Sequence, residues 1–215
     1  MVKPIKYKPK PKKCKQCGNQ FNPYTPLQIV CSPNCALEWN QEKEVKKRVK
    51  TMKDDLLDKS FFRNKTQSEF NELIRMIDTD LPCISCKNRK YGHGEAGHYH
   101  SRGKNPTLFI HAHNIHLQDN HCNQHLSANI IGYDNGLIER YGKEYWEYVK
   151  FELPKIKEVH LTKEDYKSIR VKIRTFKRYL QTLNLGSLMY SQRIELRNML
   201  NEKIGIYNEP NKTKL

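Results

Sequence analysis

Apolar positions along this chain gather into helical stripes and short runs. Residues 36–59 (ALEWNQEKEVKKRVKTMKDDLLDK) hold neither Gly nor Pro and are rich in helix formers, which predicts a solvated helix. Thr66 to Asp78 repeats the pattern with a firmer face. Leu73, Ile74 and Ile77 share one side, Phe70 lies one turn before, and Leu81-Pro82 ends the helix. Helical periodicity returns at 136–151 and 163–183, and more weakly at 194–203. Within 163–183, Tyr166, Ile169, Ile173, Phe176, Leu180 and Leu183 recur at alternating spacings of three and four, forming one apolar stripe. Such a stripe packs into a core or forms a dimer seam. Residues 83–135 are rich in Gly, His and Asn, and their apolar runs are as short as Thr107–Ile110. That stretch reads as a small metal-stapled unit rather than a large sheet.

Cysteine divides the chain further. Cys14-x2-Cys17 and Cys31-x3-Cys35 stand 13 residues apart, a spacing at which four thiolates close a tetrahedral zinc site. The segment between the clips is too short to bury much apolar surface, so zinc would supply its folding energy. Four Cys leave no open coordination position, which indicates a structural role. A second clip, Cys83-x2-Cys86, points to Cys122 as a partner. Asp119 stands three residues earlier as the expected fourth ligand, with His121 and His125 as the alternatives. Clips of this kind suit a reducing cytosol better than a disulfide framework does.

Charge changes the picture of what the protein meets. Its 215 residues carry 39 Lys+Arg against 23 Asp+Glu, a formal net charge of +16. No apolar run is long enough to cross a bilayer, and the basic N-terminus has no apolar stretch behind it, so neither a membrane span nor a secretory signal is expected. Residues 1–13 hold six Lys, three Pro and no acid, and read as a disordered basic arm. A polyanion is the partner such a balance favours, nucleic acid first. Lys10, Lys12 and Lys13 of the arm, with Arg170, Arg174, Lys177 and Arg178 beside the apolar stripe, are the expected phosphate contacts.

The chemistry-bearing residues lie inside the second cysteine unit. His98 and His100 stand two apart, so on a strand both project to one face, where two imidazoles suit a general base beside a metal or phosphate contact. Glu95 offers a carboxylate to a hard cation, and Asn123 offers an amide oxygen from the first turns of a helix expected to begin near Asn120. A helix cap is the plainer role for Asn123, and a solvated or structural role is the plainer one for His100.

The set Cys83-x2-Cys86, Gly97-His98, Asn114 and Cys122-Asn123 resembles the HNH, or ββα-metal, nucleases. More narrowly, LPCISC, AGHY, NIH and CNQH-x-S-x-N look like the NinG/Rap family of lambdoid phages, DNA junction and recombination endonucleases. His98-x-His100 and Cys122-Asn123 also resemble phage T4 endonuclease VII, a junction resolvase with a four-Cys zinc site. Only residues 80–130 carry the specific part of this likeness. It implies His98 as general base, Asn114 as the residue orienting the loop, and Asn123 as ligand of a catalytic magnesium (or manganese), with Glu95 or His100 assisting. The family pattern has Cys where this chain has Asp119, and many HNH enzymes have an acid where this chain has Gly97.

The expected architecture is therefore α+β and zinc-stapled: a basic arm (1–13), a zinc unit (14–35), a helical linker (36–60), an HNH-like nuclease domain (61–135) and a basic helical region (136–215). The expected activity is metal-dependent cleavage of branched recombination intermediates in the cytoplasm of a phage-infected bacterium. A homodimer and phage recombination proteins are conceivable partners. A non-catalytic zinc protein that binds nucleic acid, or a general HNH nuclease of ordinary duplex, are the alternatives.

Overall fold

A computed structural model describes residues 10–88 and 94–207. The chain divides into two compact units, split between Leu57 and Asp58.

In the first unit, Lys12–Lys13 (β1) pair antiparallel with Gln20–Phe21 (β2). Lys12 Nζ donates to the carbonyls of Pro26 and Gln28. The arm expected to be disordered through residue 13 is thus ordered at its end, and Lys12 is engaged locally; residues 1–9 lie outside the described residues. A helix, Pro33–Leu56 (α1), follows. Ser32 Oγ accepts the Cys35 N–H at 3.2 Å and proline takes the first helical position, where its missing N–H costs nothing. Val45, Val49, Met52 and Leu56 of α1 are exposed, so the unit buries little apolar surface and leans on its sulfur cluster.

The second unit begins with Lys59–Ile77 (α2), capped by the Asp58 carboxylate, which accepts the Phe61 N–H at 2.9 Å. That cap breaks the expected linker helix and starts α2 seven residues before Thr66. Glu95–His98 (β3) pairs antiparallel with Ile115–Gln118 (β4), in the register Glu95↔Gln118 to His98↔Ile115. Two 3₁₀ turns, Pro106–Ile110 and Ala112–Asn114, fill the connection. After β4 come a π-turn (His121–His125) and the helix Ile130–Tyr141 (α3). Lys143–Glu147 (α4) runs on through Tyr148–Glu152, and Lys163–Leu180 (α5) and Tyr190–Ile204 (α6) complete the unit. Thr162 and Asp165 form a reciprocal capping box at the start of α5.

Tyr166, Ile169, Ile173, Phe176 and Leu180 of α5 are buried, and α2 and α6 are the helices α5 packs against. The stripe is spent inside the chain, which removes it as a dimer seam. Nor do the C-terminal helices stand apart from residue 136 onward. Leu137, Tyr145, Val149 and Leu153 share one apolar cluster with Ile84, Tyr99, Leu108 and Tyr133.

A polar network is sealed inside the same unit. Arg197 of α6 donates to both carboxylate oxygens of Asp78 at 2.9 and 2.8 Å, and both side chains are fully buried. Asp78 Oδ2 also accepts the Leu117 N–H of β4 at 2.9 Å. Four residues before Arg197, the buried Arg193 donates to the carbonyls of Ile77, Leu185 and Leu188. It thereby satisfies an orphan carbonyl at the end of α2. Tyr145 OH lies 3.0 Å from His113 Nδ1 and 3.2 Å from His116 Nε2, and Tyr133 OH donates to the Gly97 carbonyl at 3.0 Å.

Removing one partner of a buried pair strands the other charge. Arg197→Met should destabilise the unit by about 3–5 kcal/mol, and Asp78→Leu combined with Arg197→Met should recover part of that loss. Denaturant unfolding of the two variants checks this, and an Arg197→Met variant as stable as the wild type would contradict it. Burial, and then the nearby positive charges, hold the His113 and His116 pKa values well below their ordinary 6.5. The unfolded chain then takes up protons before the folded one does. Stability from these two groups is full above pH 6.5 and should fall as pH drops below it, as acid titration of the melting temperature will show.

Candidate metal centres and the His98 site

The sulfurs of Cys14, Cys17, Cys31 and Cys35 all lie within 4.8 Å of one another. The Cys31 N–H points at Cys14 Sγ at 3.3 Å. Burial opposes ionisation of Cys14, but backbone N–H groups of Cys17, Cys31 and Gln16 outweigh it and bring that thiol down to about 6. Contact with Cys35, Cys17 and Cys14 pushes Cys31 up to about 12. Cys14 ionises readily while Cys31 and Cys35 resist, because packed like charges need a cation between them. The donor set and its convergence fit a tetrahedral zinc ion.

In the second unit Cys83, Cys86 and Cys122 converge within the same limit. N–H groups of Ser85, Cys86 and Asp119 face Cys83 Sγ at 3.4, 3.5 and 3.1 Å. Burial pushes the Cys86 thiol up to about 12, with Cys83 and Cys122 adding to it. Three sulfurs fit a zinc ion that takes one further ligand. Asp119, expected as that ligand, is not among the converging atoms; its Oδ1 accepts the His121 N–H at 2.8 Å. Nor do His121 and His125 join the cluster; their rings are exposed and lie 5.6 Å apart. Aspartate before a turn caps the following N–H, and here that local bond holds the carboxylate away from the sulfurs.

The clip is built into the helix behind it. A Cβ on Gly136 would fall 1.7 Å from the Ile84 carbonyl oxygen, and one on Gly132 would fall 2.5 Å from that of Ser85. Only glycine lets α3 sit so close to the Cys83–Cys86 turn. Gly97 has a similar reason: the Gln118 side chain fills the space where its Cβ would stand, with Oε1 2.0 Å away. Gln118 Nε2 is tied in turn to Ser85 Oγ and the Ala128 carbonyl. No acid fits immediately before His98 in this packing.

His98 ends β3, half-buried, with Nε2 3.0 Å from the Phe109 carbonyl. A carbonyl only accepts, so Nε2 carries the hydrogen and the neutral ring keeps its lone pair on Nδ1. Burial lowers the His98 pKa, partly offset by the Phe109 carbonyl, and Arg102 lowers it further. His100 lies past the strand, in a bend, and its Nε2 goes instead to the Val149 carbonyl at 2.8 Å. The two imidazoles are therefore not the same-face strand pair that their spacing predicts. Asn114, fully buried, clamps this bend. Its Oδ1 accepts the His100 N–H at 2.8 Å, and its Nδ2 donates to the carbonyls of His100 and Leu108 at 3.1 Å. At the other end of β3, Glu95 accepts from the amides of Asn120, Asn123 and Gln124 at 2.8, 2.6 and 2.6 Å. With their nitrogens bound, these amides keep their oxygens off Glu95.

The comparisons with known proteins agree on one family. The family model described as Bacteriophage Lambda NinG protein matches residues 6–56 and 39–182, most of the chain. The chain belongs to the NinG family. Protein ninG of Escherichia phage lambda is 34% identical over 160 residues, covering 64% of this chain and 78% of that protein. Protein ninG of Salmonella phage P22 is 34% identical over 154 residues, covering 61% and 76%. Protein ninG of Enterobacteria phage H19B is 35% identical over 158 residues, covering 64% and 79%. No solved structure matches.

The NinG match spans both cysteine clusters and β3–β4 but stops before α6, the helix that carries Arg193 and Arg197. Sequence reasoning missed Asn120 and Gln124 as partners of Glu95. Asn123 and Gln124 stand three and four residues after Asn120, and that spacing on one helical turn was the available signal. Gln118 and the Phe109 carbonyl left no such trace. Of the expected DNA contacts, Arg170 and Arg174 both pair with Glu69 at 2.7 and 2.8 Å, and Lys177 pairs with Glu72 at 2.6 Å. Lys10, Lys13 and Arg178 are exposed.

Desalted protein should retain about two zinc ions per chain. Cys17→Ser should remove one and leave unfolding of the second unit unchanged. Cys86→Ser should remove the other and lower that transition. Elemental analysis beside calorimetry gives the answer, and a fully folded chain free of metal would contradict it.

Proposed function

We propose that this protein is a divalent-metal-dependent endonuclease of the HNH, or ββα-metal, type that cuts branched recombination intermediates such as D-loops and Holliday junctions in the infected cell. The observation that carries the reading is His98. It sits at the end of a two-stranded hairpin, its ring is pinned through Nε2 by a backbone carbonyl, and burial keeps it neutral with the lone pair on Nδ1. A protein that only binds DNA needs no imidazole held in that tautomer.

His98 Nδ1 takes the proton of a water that attacks the phosphorus, and the phosphodiester breaks at its leaving oxygen. Asn114 fixes the bend after His98, so the ring's position survives substrate binding. Glu95 turns the Asn123 amide so that its oxygen points away from the carboxylate. Asn123, with Glu95 behind it, would hold the divalent ion, which supplies charge stabilisation at the leaving oxygen. The net charge of +16 supports a polyanionic substrate, and the preference for branches follows from the family resemblance.

Cleavage of a four-way junction, a D-loop and a matched duplex, each with and without Mg²⁺, tests this. His98→Ala should lower the cleavage rate by about 10²- to 10⁴-fold with junction binding retained. His160→Ala, at an exposed histidine of the same unit, should change little. Asn123→Ala should raise the Mg²⁺ concentration needed for half-maximal activity. Wild-type cleavage by the His98 variant would sink the assignment. Loss of zinc and fold in that variant would favour a non-catalytic zinc protein.

A further inference from the structure

The structure assigns duplex DNA to a cationic track beside His98 formed by Arg63, Arg102 and Lys104, and not to the basic face of α5. This rests on the endonuclease reading and names where an arm of its substrate lies.

Most of the charge on α5 is already committed within the protein. Arg170 and Arg174 share the Glu69 carboxylate, and Lys177 holds Glu72, so three of the four α5 side chains expected to meet phosphate bind α2 instead. A phosphate there would first have to break a partly buried network. Arg63, Arg102 and Lys104 differ: among the described residues none of the three takes part in an ion pair.

Their placement leads to the site. The Arg63 guanidinium lies 5.4 Å from the centroid of the Phe109 ring, and the carbonyl of that same Phe109 holds His98 Nε2. A guanidinium stacked on an aromatic face keeps its edge N–H groups for an anion such as a phosphate. One turn along α2, the neutral Gln67 accepts from Arg102 Nη1 at 3.1 Å, which positions that guanidinium without cancelling its charge. The charge of Arg102 is felt at His98, where it helps to keep the ring neutral. Lys104 closes the same exposed turn, its N–H bonded to the Ser101 carbonyl at 3.1 Å.

The occupant is the phosphate backbone of a duplex rather than unstacked bases. Phe109 is buried with Arg63 over its face, so it presents no ring on which a base could stack. Such phosphate binding positions DNA and does not read sequence.

Anisotropy of a labelled junction and a labelled matched duplex, titrated across salt without Mg²⁺, tests the track. Arg102 and Lys104 are both exposed, so Arg102→Ala with Lys104→Ala should fold as the wild type does. That pair should weaken binding to both DNAs and flatten the log–log salt slope by about 0.9 for each phosphate no longer neutralised. Adding Arg63→Gln should flatten it further. Arg174→Ala with Lys177→Ala should leave the slope unchanged. A wild-type slope in the Arg102/Lys104 variant, or a flattened one in the α5 variant, overturns the assignment. If the track variant loses binding while the wild-type protein cuts no DNA, the track stands and the endonuclease reading falls. If the wild type cuts and the track variant binds normally, the reverse holds.

Discussion

A carboxylate and a guanidinium shut off from water decide how the larger unit closes. Neither Asp78 nor Arg197 can be buried alone, since an unpaired charge in a dry interior costs several kcal/mol. Each therefore demands the other, and α6 must dock on the end of α2 to bring them together. Asp78 uses its second oxygen on the Leu117 N–H, so the same carboxylate also fixes β4. β4 in turn sets β3 and with it His98. The site inherits its position from a bond well behind it.

A two-stranded sheet is marginal in water, and β3–β4 shows what completes one. On the outer edge of β4, the Leu117 carbonyl accepts the Ile84 N–H from the Cys83–Cys86 turn, and Asp78 satisfies the Leu117 N–H. The cysteine turn is itself wedged against α3 at Gly132 and Gly136. Cysteine cluster, strand and helix thus meet backbone to backbone, with little side-chain slack between them. Tyr133 of α3 reaches through this layer to the Gly97 carbonyl, one residue from His98.

Much of this was legible in the sequence wherever the signal was local. The stripe from Tyr166 to Leu180 marked α5 and its buried face because helical periodicity depends only on near neighbours. The cysteine spacings likewise marked both clusters. The exceptions turned on partners far along the chain. Arg170 and Arg174 looked like free phosphate binders because Glu69, about a hundred residues earlier, gives no sign of facing them. Asp119 looked like a zinc ligand because spacing shows that a carboxylate is near, but not that a neighbouring N–H has claimed it. His98 and His100 looked like a strand pair because nothing local says that β3 ends between them. The break between α1 and α2 did have a local mark, Asp58 as an N-cap, set within a run of good helix formers that hid it.

The Asp78–Arg197 pair spans 119 residues of sequence. A chain leaving the ribosome exposes its N-terminal half first, and long-range pairings wait for both partners. Asp78, β3 and β4 are therefore synthesised well before the helix that neutralises Asp78. Until α6 emerges, that carboxylate must stay hydrated and β4 lacks its buried anchor. The buried anchor behind the strand that carries His98 is complete only once α6 has been made. The order in which the residues appear thus places completion of the β3–β4 support after synthesis of the last helix.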